Sequence, residues 1–98
     1  MFVAGQETTA ATLSALAYNL AKYPDIQDRL RKELIDGKDT GLLTNCIKET
    51  LRLYSPTFVL QSRRAVNDEF LPLNMRVWIL LHGIHRSERY WPEPHRFN

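Results

Sequence analysis

The fold class of this chain follows from residues 47–56, whose sequence is Ile47-Lys48-Glu49-Thr50-Leu51-Arg52-Leu53-Tyr54-Ser55-Pro56. Apolar side chains recur here every three or four residues, which predicts an amphipathic helix. Pro56 marks its end, because proline cannot continue a helix. The helix is predicted over residues 42–54. Its buried face is expected to consist of Leu43, Ile47, Leu51 and Tyr54, flanked by Cys46 and Thr50.

Two polar residues of this helix, Glu49 and Arg52, lie three positions apart and therefore side by side on one face. On the surface, such a pair contributes very little to stability. If buried, it would form a fixed polar anchor that holds another backbone segment. Since Glu-x-x-Arg is common on helices, these two residues alone leave both alternatives open.

Two more helices are predicted upstream, over residues 2–23 and 24–35. Pro24 separates them, since proline ends one helix and is favoured at the first position of the next. The loop that follows, residues 36–41, is predicted from its glycine and aspartate content. The apolar stripe of the first helix consists of Leu13, Leu16, Ala17 and Leu20.

The pattern downstream of Pro56 is typical of β structure. Residues 57–81 predict an antiparallel hairpin, with Pro72 and Asn74 supplying the turn. Residues 82–98 are predicted to be irregular, because two nearby prolines forbid regular pairing. The sequence therefore predicts one mainly α domain with a small β element over residues 1–98, in which three helices precede a β-hairpin.

Composition excludes several classes of protein. The chain has 98 residues, and 13 Lys+Arg against 11 Asp+Glu give a net charge of +2, too mild a balance to predict nucleic-acid binding. The hydrophobic content of 44% is too high for a disordered protein. Cys46 is the only cysteine, so no intrachain disulfide can form. No apolar run is long enough to cross a bilayer.

The first chemical motif lies near the start of the first helix, at residues 4–9. Ala4 and Gly5 are small, so a flat ligand could approach the backbone beside them. Glu7 can relay protons, and the Thr8 hydroxyl can hold a water or a bound oxygen species. An ordinary helix start with a Glu and a Thr explains the same residues, and the motif alone does not decide between the two.

Two arginines, Arg63 and Arg64, follow one another in the first predicted strand. Their side chains are expected on opposite faces of the sheet. A guanidinium group binds carboxylates in a bidentate manner, so one of them could reach a carboxylated ligand. Two solvated strand arginines are the alternative interpretation.

A metal site is not predicted from the histidines. His82 and His85 lie three residues apart, a spacing that metal ligands also show, but no second ligand pair follows at a suitable distance. Cys46 falls on the buried side of a helix, where a thiol most often acts as a small hydrophobic group.

The order of these motifs resembles the cytochrome P-450 family of haem-thiolate monooxygenases. The similar segments are residues 4–9, 23–25 with 29–33, 47–56, Arg63, and 85–94 with Phe97. Together they cover nearly the whole chain. The resemblance implies a partial cytochrome P-450 fold and the activity of that family, which inserts one atom of dioxygen into an organic substrate and reduces the other to water.

The resemblance also implies roles for individual residues. Ala4 and Gly5 would lie over the face of a haem, Glu7 and Thr8 would deliver protons, and Arg63 would neutralise a haem propionate. Glu49 and Arg52 would form a buried structural pair. Electrons would come from NAD(P)H through a partner reductase, and the substrate would be a lipophilic small molecule. No nucleic-acid partner is implied.

The chain also departs from the family pattern. The loop that carries the iron-ligating cysteine is not found in residues 1–98, and Cys46 does not match it. We therefore expect an internal fragment that neither retains haem nor catalyses the reaction alone. Any membrane association would require upstream segments. For a full-length parent the resemblance is compatible with an intracellular location, for example at the endoplasmic reticulum membrane.

A function of a different class stays open from the sequence alone. Residues 24–35 and 42–54 could form a small helical module that binds DNA or protein without catalysis. Against it, the loop between them is longer than in a typical helix-turn-helix, and the third helix presents only Lys48 and Arg52 as cations.

Overall fold

The computed structural model describes residues 2–38, 40–57, 59–66 and 69–98, and it describes the side chains of these residues except 2–4 and 61. The prediction of a mainly α chain with a small β element is confirmed. In chain order, the elements are α1 Phe2–Lys22, α2 Pro24–Ile35, α3 Leu42–Leu53, β1 Val59–Arg64, β2 Arg76–Leu80 and α4 Leu81–His85.

The described chain forms two compact units. Unit 1 consists of residues 1–56 and 95–98, and unit 2 consists of residues 57–94. Unit 1 therefore contains α1, α2 and α3, and unit 2 contains the hairpin and α4. Within the described residues, none of these helices combines the length and the apolar character that a bilayer span requires.

Helix α2 begins directly after α1, as the position of Pro24 predicts. Only Tyr23 separates the two helices, and its amide donates to the Asn19 carbonyl at 2.9 Å. The Tyr23 carbonyl in turn accepts from the amides of Ile26 and Gln27. These bonds satisfy several of the backbone groups that the two helix ends leave without an intrahelical partner.

The loop between α2 and α3 is held by a carboxylate. Glu33 accepts hydrogen bonds from the Thr40 amide, at 2.8 Å, and from the Thr40 hydroxyl. The hydrogen bond from that hydroxyl is the main reason why the pKa of Glu33 is lowered. Gly41 precedes α3 with φ of 79°, in the left-handed region that glycine adopts without steric cost.

The core of unit 1 lies between α3 and the segment 95–98. Cys46 and Leu53 of α3 contact Phe97, which is only 3% exposed. The Phe97 ring stacks on Tyr23, with centroids 5.7 Å apart and 28° between the planes. The partly buried side chains packed against this cluster are Leu16, Tyr23, Ile26 and Leu42.

The predicted buried face of α3 is wrong. Leu43, Ile47, Leu51 and Tyr54 are 37–41% exposed, whereas Cys46, Thr50, Arg52 and Leu53 are buried. The polar members of the true face are hydrogen-bonded, so burying them carries little penalty. The Thr50 hydroxyl donates to the Cys46 carbonyl at 2.8 Å, and Arg52 is paired with Glu49. A count of apolar residues alone cannot detect such a face.

The apolar stripe predicted on α1 is only partly packed. Leu16 contacts the core, but Leu13 is 59% exposed. Among the described side chains of α1, the most deeply buried is instead Asn19, at 1% exposure, which hydrophobic periodicity cannot identify.

Unit 2 is built on the predicted hairpin. Strands β1 and β2 pair antiparallel, with an irregularity between Leu60 and Arg63. Asn74 closes the turn in the left-handed conformation, φ 64°, and its amide donates to the Ala65 carbonyl at 2.8 Å. The turn role expected for Asn74 is confirmed, because asparagine tolerates this conformation better than most residues.

The prediction that residues 82–98 are irregular is wrong for the first part of this segment. This part belongs to α4, Leu81–His85, which follows β2 directly. Five residues are too few for helical periodicity to be recognised. From Arg86 onward the chain is indeed irregular and consists of turns. One of these places the Trp91 ring edge-on to His85, with centroids 6.5 Å apart.

Candidate functional site

The residues that the sequence singled out are distributed over both units. Ala4, Gly5, Glu7, Thr8, Glu49 and Arg52 belong to unit 1, and Arg63 belongs to unit 2. In unit 1 they form two groups, one in the first turns of α1 and the other at the carboxyl end of α3.

The first group lies on an accessible part of α1. Gly5, Glu7 and Thr8 are exposed, and the backbone of Ala4 continues the same helix. A Cβ atom added to Gly5 would meet no heavy atom within 4 Å outside the local helix. The helix backbone is therefore open to a flat ligand at this position.

Threonine hydroxyls of the next residues bond to the helix itself. The Thr9 hydroxyl donates to the Gly5 carbonyl and the Thr12 hydroxyl to the Thr8 carbonyl, each at 2.9 Å. Such bonds compete with the regular helix ladder and favour local bending. Thr12 was not singled out from the sequence, although its position four residues after Thr8 places both on one face.

Thr8 lines a groove between α1 and α3 of about 350 Å³. We call it the α1–α3 groove. Its lining contains threonines and a larger number of apolar side chains, so it combines hydrogen-bonding groups with a lipophilic wall. The residues that line it are Thr8, Thr9, Thr12, Leu13, Leu16, Ile47, Leu51 and Pro56.

The second group is a bidentate ion pair. The Arg52 Nε and Nη2 atoms donate to the two carboxylate oxygens of Glu49, each at 2.8 Å. The side chains are only 6% and 14% exposed. Two parallel hydrogen bonds give this kind of pair both strength and a fixed orientation.

The pair also binds the segment 95–98. Arg52 Nη2 donates to the Arg96 carbonyl at 3.0 Å, and the Asn98 amide donates to Glu49 at 3.2 Å. On the side of the segment 95–98, both hydrogen bonds are made by main-chain atoms of Arg96 and Asn98. A pattern of side chains in the sequence therefore cannot predict them. Because these bonds flank Phe97, the pair holds the core side chain in place.

The acid stability of unit 1 should depend on Glu49. Burial alone would raise the pKa of this carboxyl, but hydrogen bonds from Arg52 and the Asn98 amide and the charge of Arg52 lower it below 4.5. A carboxyl with a depressed folded-state pKa contributes its full stability above pH 4.5, and the contribution is lost as the pH falls through the folded value. We expect urea unfolding at a series of pH values to show this decline. Glu49→Gln should flatten it, leaving the part due to Glu33, and an unchanged slope would contradict the assignment.

Arg63 lies on β1 in unit 2 and is exposed. It faces Val77 across the hairpin, and the next residue, Arg64, faces Arg76. Arg63 and Arg64 therefore point to opposite faces of the sheet, as predicted. The guanidinium group of Arg63 is accessible to a carboxylate.

Cys46 is buried, as predicted, and lies in the core of unit 1. Burial raises the pKa of its thiol, which keeps the sulfur protonated. A metal ligand has to be the thiolate. Within the part of the chain that the structure describes, no three or more His, Cys, Asp or Glu side chains are grouped to hold a metal ion.

Comparison with known proteins identifies the family. The family model for Cytochrome P450 matches residues 1–98. The chain belongs to the cytochrome P450 family. It is 36% identical over 111 residues to rat Cytochrome P450 4A2, covering 96% of this chain and 22% of that protein. It is also 36% identical over 110 residues to mouse Leukotriene-B4 omega-hydroxylase 3, covering 92% and 21%.

A solved cytochrome P450 has the same fold over almost the whole chain. The structure of a zebrafish cytochrome P450 with progesterone superposes with a TM-score of 0.82 and 27% sequence identity, covering 99% of this chain and 27% of that one. The chain thus spans between a fifth and a third of the length of the relatives it matches. Family membership does not favour the helical DNA- or protein-binding alternative.

The cofactor of cytochromes P450 is haem, with electrons supplied by a reductase, and the residues described above fit it. A flat macrocycle requires a helix face without side-chain bulk, which Gly5 provides. Its propionates require cationic partners, and the exposed Arg63 is a suitable donor.

Proposed function

We propose that this chain supplies the haem-contacting and proton-delivering residues of a monooxygenase that hydroxylates a lipophilic substrate. One observation carries the proposal: Glu7 and Thr8 follow an open Gly5 on α1, and Thr8 lines the α1–α3 groove. Membership of the cytochrome P450 family supports it.

The haem, when bound, supplies the redox chemistry that activates dioxygen. The chain's own residues hold the cofactor and move protons. Ala4 and Gly5 would allow the ring to approach α1, and the exposed Arg63 would be available to a propionate. Glu7 is exposed to solvent, so it would serve as the outer member of a proton path, and the Thr8 hydroxyl would position the water at the inner end of that path.

The substrate class is proposed from the groove and from the relatives. The apolar wall of the α1–α3 groove includes Leu13, Ile47 and Leu51, which suit a lipophilic molecule. One relative is named for the omega-hydroxylation of leukotriene B4, and the zebrafish structure contains progesterone. Electrons from NAD(P)H, delivered through a reductase, complete the proposed reaction.

We also propose that the 98-residue polypeptide alone does not form a thiolate-ligated haem complex. Its one cysteine, Cys46, is buried in the core of unit 1 with a raised pKa. Presenting this sulfur to a macrocycle would require the core around Leu53 and Phe97 to open.

An experiment with two arms tests both statements. Haem, a reductant and carbon monoxide are added to the 98-residue chain, and no red-shifted, thiolate-type Soret band is expected. In the second arm, this chain replaces the matching 22% of rat Cytochrome P450 4A2, and both the band and a hydroxylated product are expected. A thiolate-type band in the first arm overturns the statement about the chain alone. A band without product in the second arm overturns the proposed catalytic role.

A further inference from the structure

The hairpin of unit 2 places two arginines directly opposite each other. Arg64 of β1 and Arg76 of β2 are register partners, and both are exposed. We call them the arginine pair. Like charges in such positions destabilise a sheet, and a guanidinium group cannot relieve the repulsion by losing its proton.

The local hydrogen bonding brings these two side chains close together. The Ala65 amide points at β2 and donates to the Met75 carbonyl at 3.0 Å. The amide of the preceding residue, Arg64, therefore points away from β2, so Arg64 and Arg76 form a non-hydrogen-bonded pair. The Cβ atoms of such pairs are about 4.5–5.5 Å apart, the closest cross-strand approach in a sheet.

No protein group neutralises the arginine pair in the described residues. Among the described residues, ion pairs join Arg31 to Asp28 and Arg52 to Glu49. Neither Arg64 nor Arg76 takes part in a side-chain hydrogen bond or an electrostatic contact with a described carboxylate. Arg63, the residue preceding Arg64 in the chain, lies on the opposite face of the sheet.

We propose that the arginine pair is an anion site that binds a phosphate monoester. Two guanidinium forks present a double positive charge and more donors than the two oxygens of one carboxylate can accept. A phosphate monoester carries close to two negative charges at neutral pH and offers three acceptor oxygens. The site is separate from the proposed haem contacts and does not depend on the proposed function.

The test is a titration of the 98-residue chain with glycerol 3-phosphate at constant ionic strength, followed by NMR of the arginine Nε–Hε groups. We expect saturable shifts of two signals, which Arg64→Gln and Arg76→Gln would assign. Each of these variants should weaken binding by about tenfold or more, since each removes charge-assisted hydrogen bonds. Because either change relieves like-charge repulsion, neither should unfold the hairpin.

Arg89→Gln is the matched control, because it removes the same charge from unit 2 at an exposed position outside both strands of the hairpin. It should leave the affinity nearly unchanged. An equal weakening in all three variants, or shifts that do not saturate, would show unspecific charge screening and overturn the proposal.

A second arm distinguishes a soluble ligand from a lipid headgroup, which carries the same phosphate monoester. Sedimentation with phosphatidylcholine vesicles containing phosphatidic acid is compared between the unchanged chain and Arg64→Gln. Binding of glycerol 3-phosphate supports a soluble ester, and retention that requires both phosphatidic acid and Arg64 supports a headgroup. If neither probe binds through the arginine pair, the inference is wrong.

Discussion

Replacing Thr8 by valine is expected to lower product formation by about 10²-fold or more in the grafted Cytochrome P450 4A2, because positioned proton transfer contributes at least that factor. The change removes only a hydroxyl group and keeps a β-branched side chain, so α1 should tolerate it. Glu7→Gln should act in the same direction, since an amide cannot take up and release protons as a carboxylate does.

The measurement compares product yield with the thiolate-type Soret band of the same preparation. A lower yield with an unchanged band assigns the loss to proton delivery, not to loss of cofactor. Thr44→Val is a matched control, because Thr44 is an exposed helical threonine that does not line the α1–α3 groove. Full activity of Thr8→Val would remove Thr8 from the proposed mechanism.

Replacing Arg52 by methionine should cost about 3–5 kcal/mol in the free energy of unfolding, the range for removing one partner of a buried ion pair. The change removes the charged partner of the Glu49 carboxylate, which is only 14% exposed, and it removes the hydrogen bond that Arg52 donates to the Arg96 carbonyl. Small domains are stabilised by only about 5–15 kcal/mol, so the loss would be a large part of the total. Urea unfolding measures it directly.

The chain contains its own control for this effect. Arg31 and Asp28 have the same three-residue spacing and a similar distance, 2.9 Å, but their side chains are 60% and 71% exposed. Arg31→Met should therefore cost about 0–1 kcal/mol. Arg52→Met should also accelerate exchange of the Asn98 amide, whose acceptor Glu49 is no longer held. Equal costs for the two variants would show that Glu49 and Arg52 are not a buried anchor.

Local signals were sufficient to predict most of the elements from the sequence. Pro24 and Pro56 mark helix boundaries whatever the tertiary structure, because proline restricts its own backbone. Asn74 marks the turn for a similar reason, since its left-handed conformation, φ 64°, suits few other residues. The opposite faces of Arg63 and Arg64 follow from strand geometry alone.

Side-chain burial was predicted less well, because it depends on partners far away in the chain. The exposed stripe of Ile47 and Leu51 is more apolar than the true face with Thr50 and Arg52. That face is buried since its polar atoms have partners, and one of them is the carbonyl of Arg96, 44 residues away. No local pattern contains this information. The open surface beside Gly5 depends in the same way on what the surrounding chain leaves uncovered.

The division of unit 1 between residues 1–56 and 95–98 has a consequence for synthesis. The Phe97 ring completes the core around Cys46 and Leu53, so the three helices cannot reach their final packing while a ribosome still encloses residue 97. Residues 57–94 emerge earlier and form their hairpin from neighbours in the chain. Bringing residues 95–98 back to the helices closes a loop that consists of residues 57–94. This closure costs conformational entropy before the contacts of Phe97 stabilise unit 1. During translation, the hairpin therefore forms first, and the packing of the three helices is completed only when residues 95–98 are available.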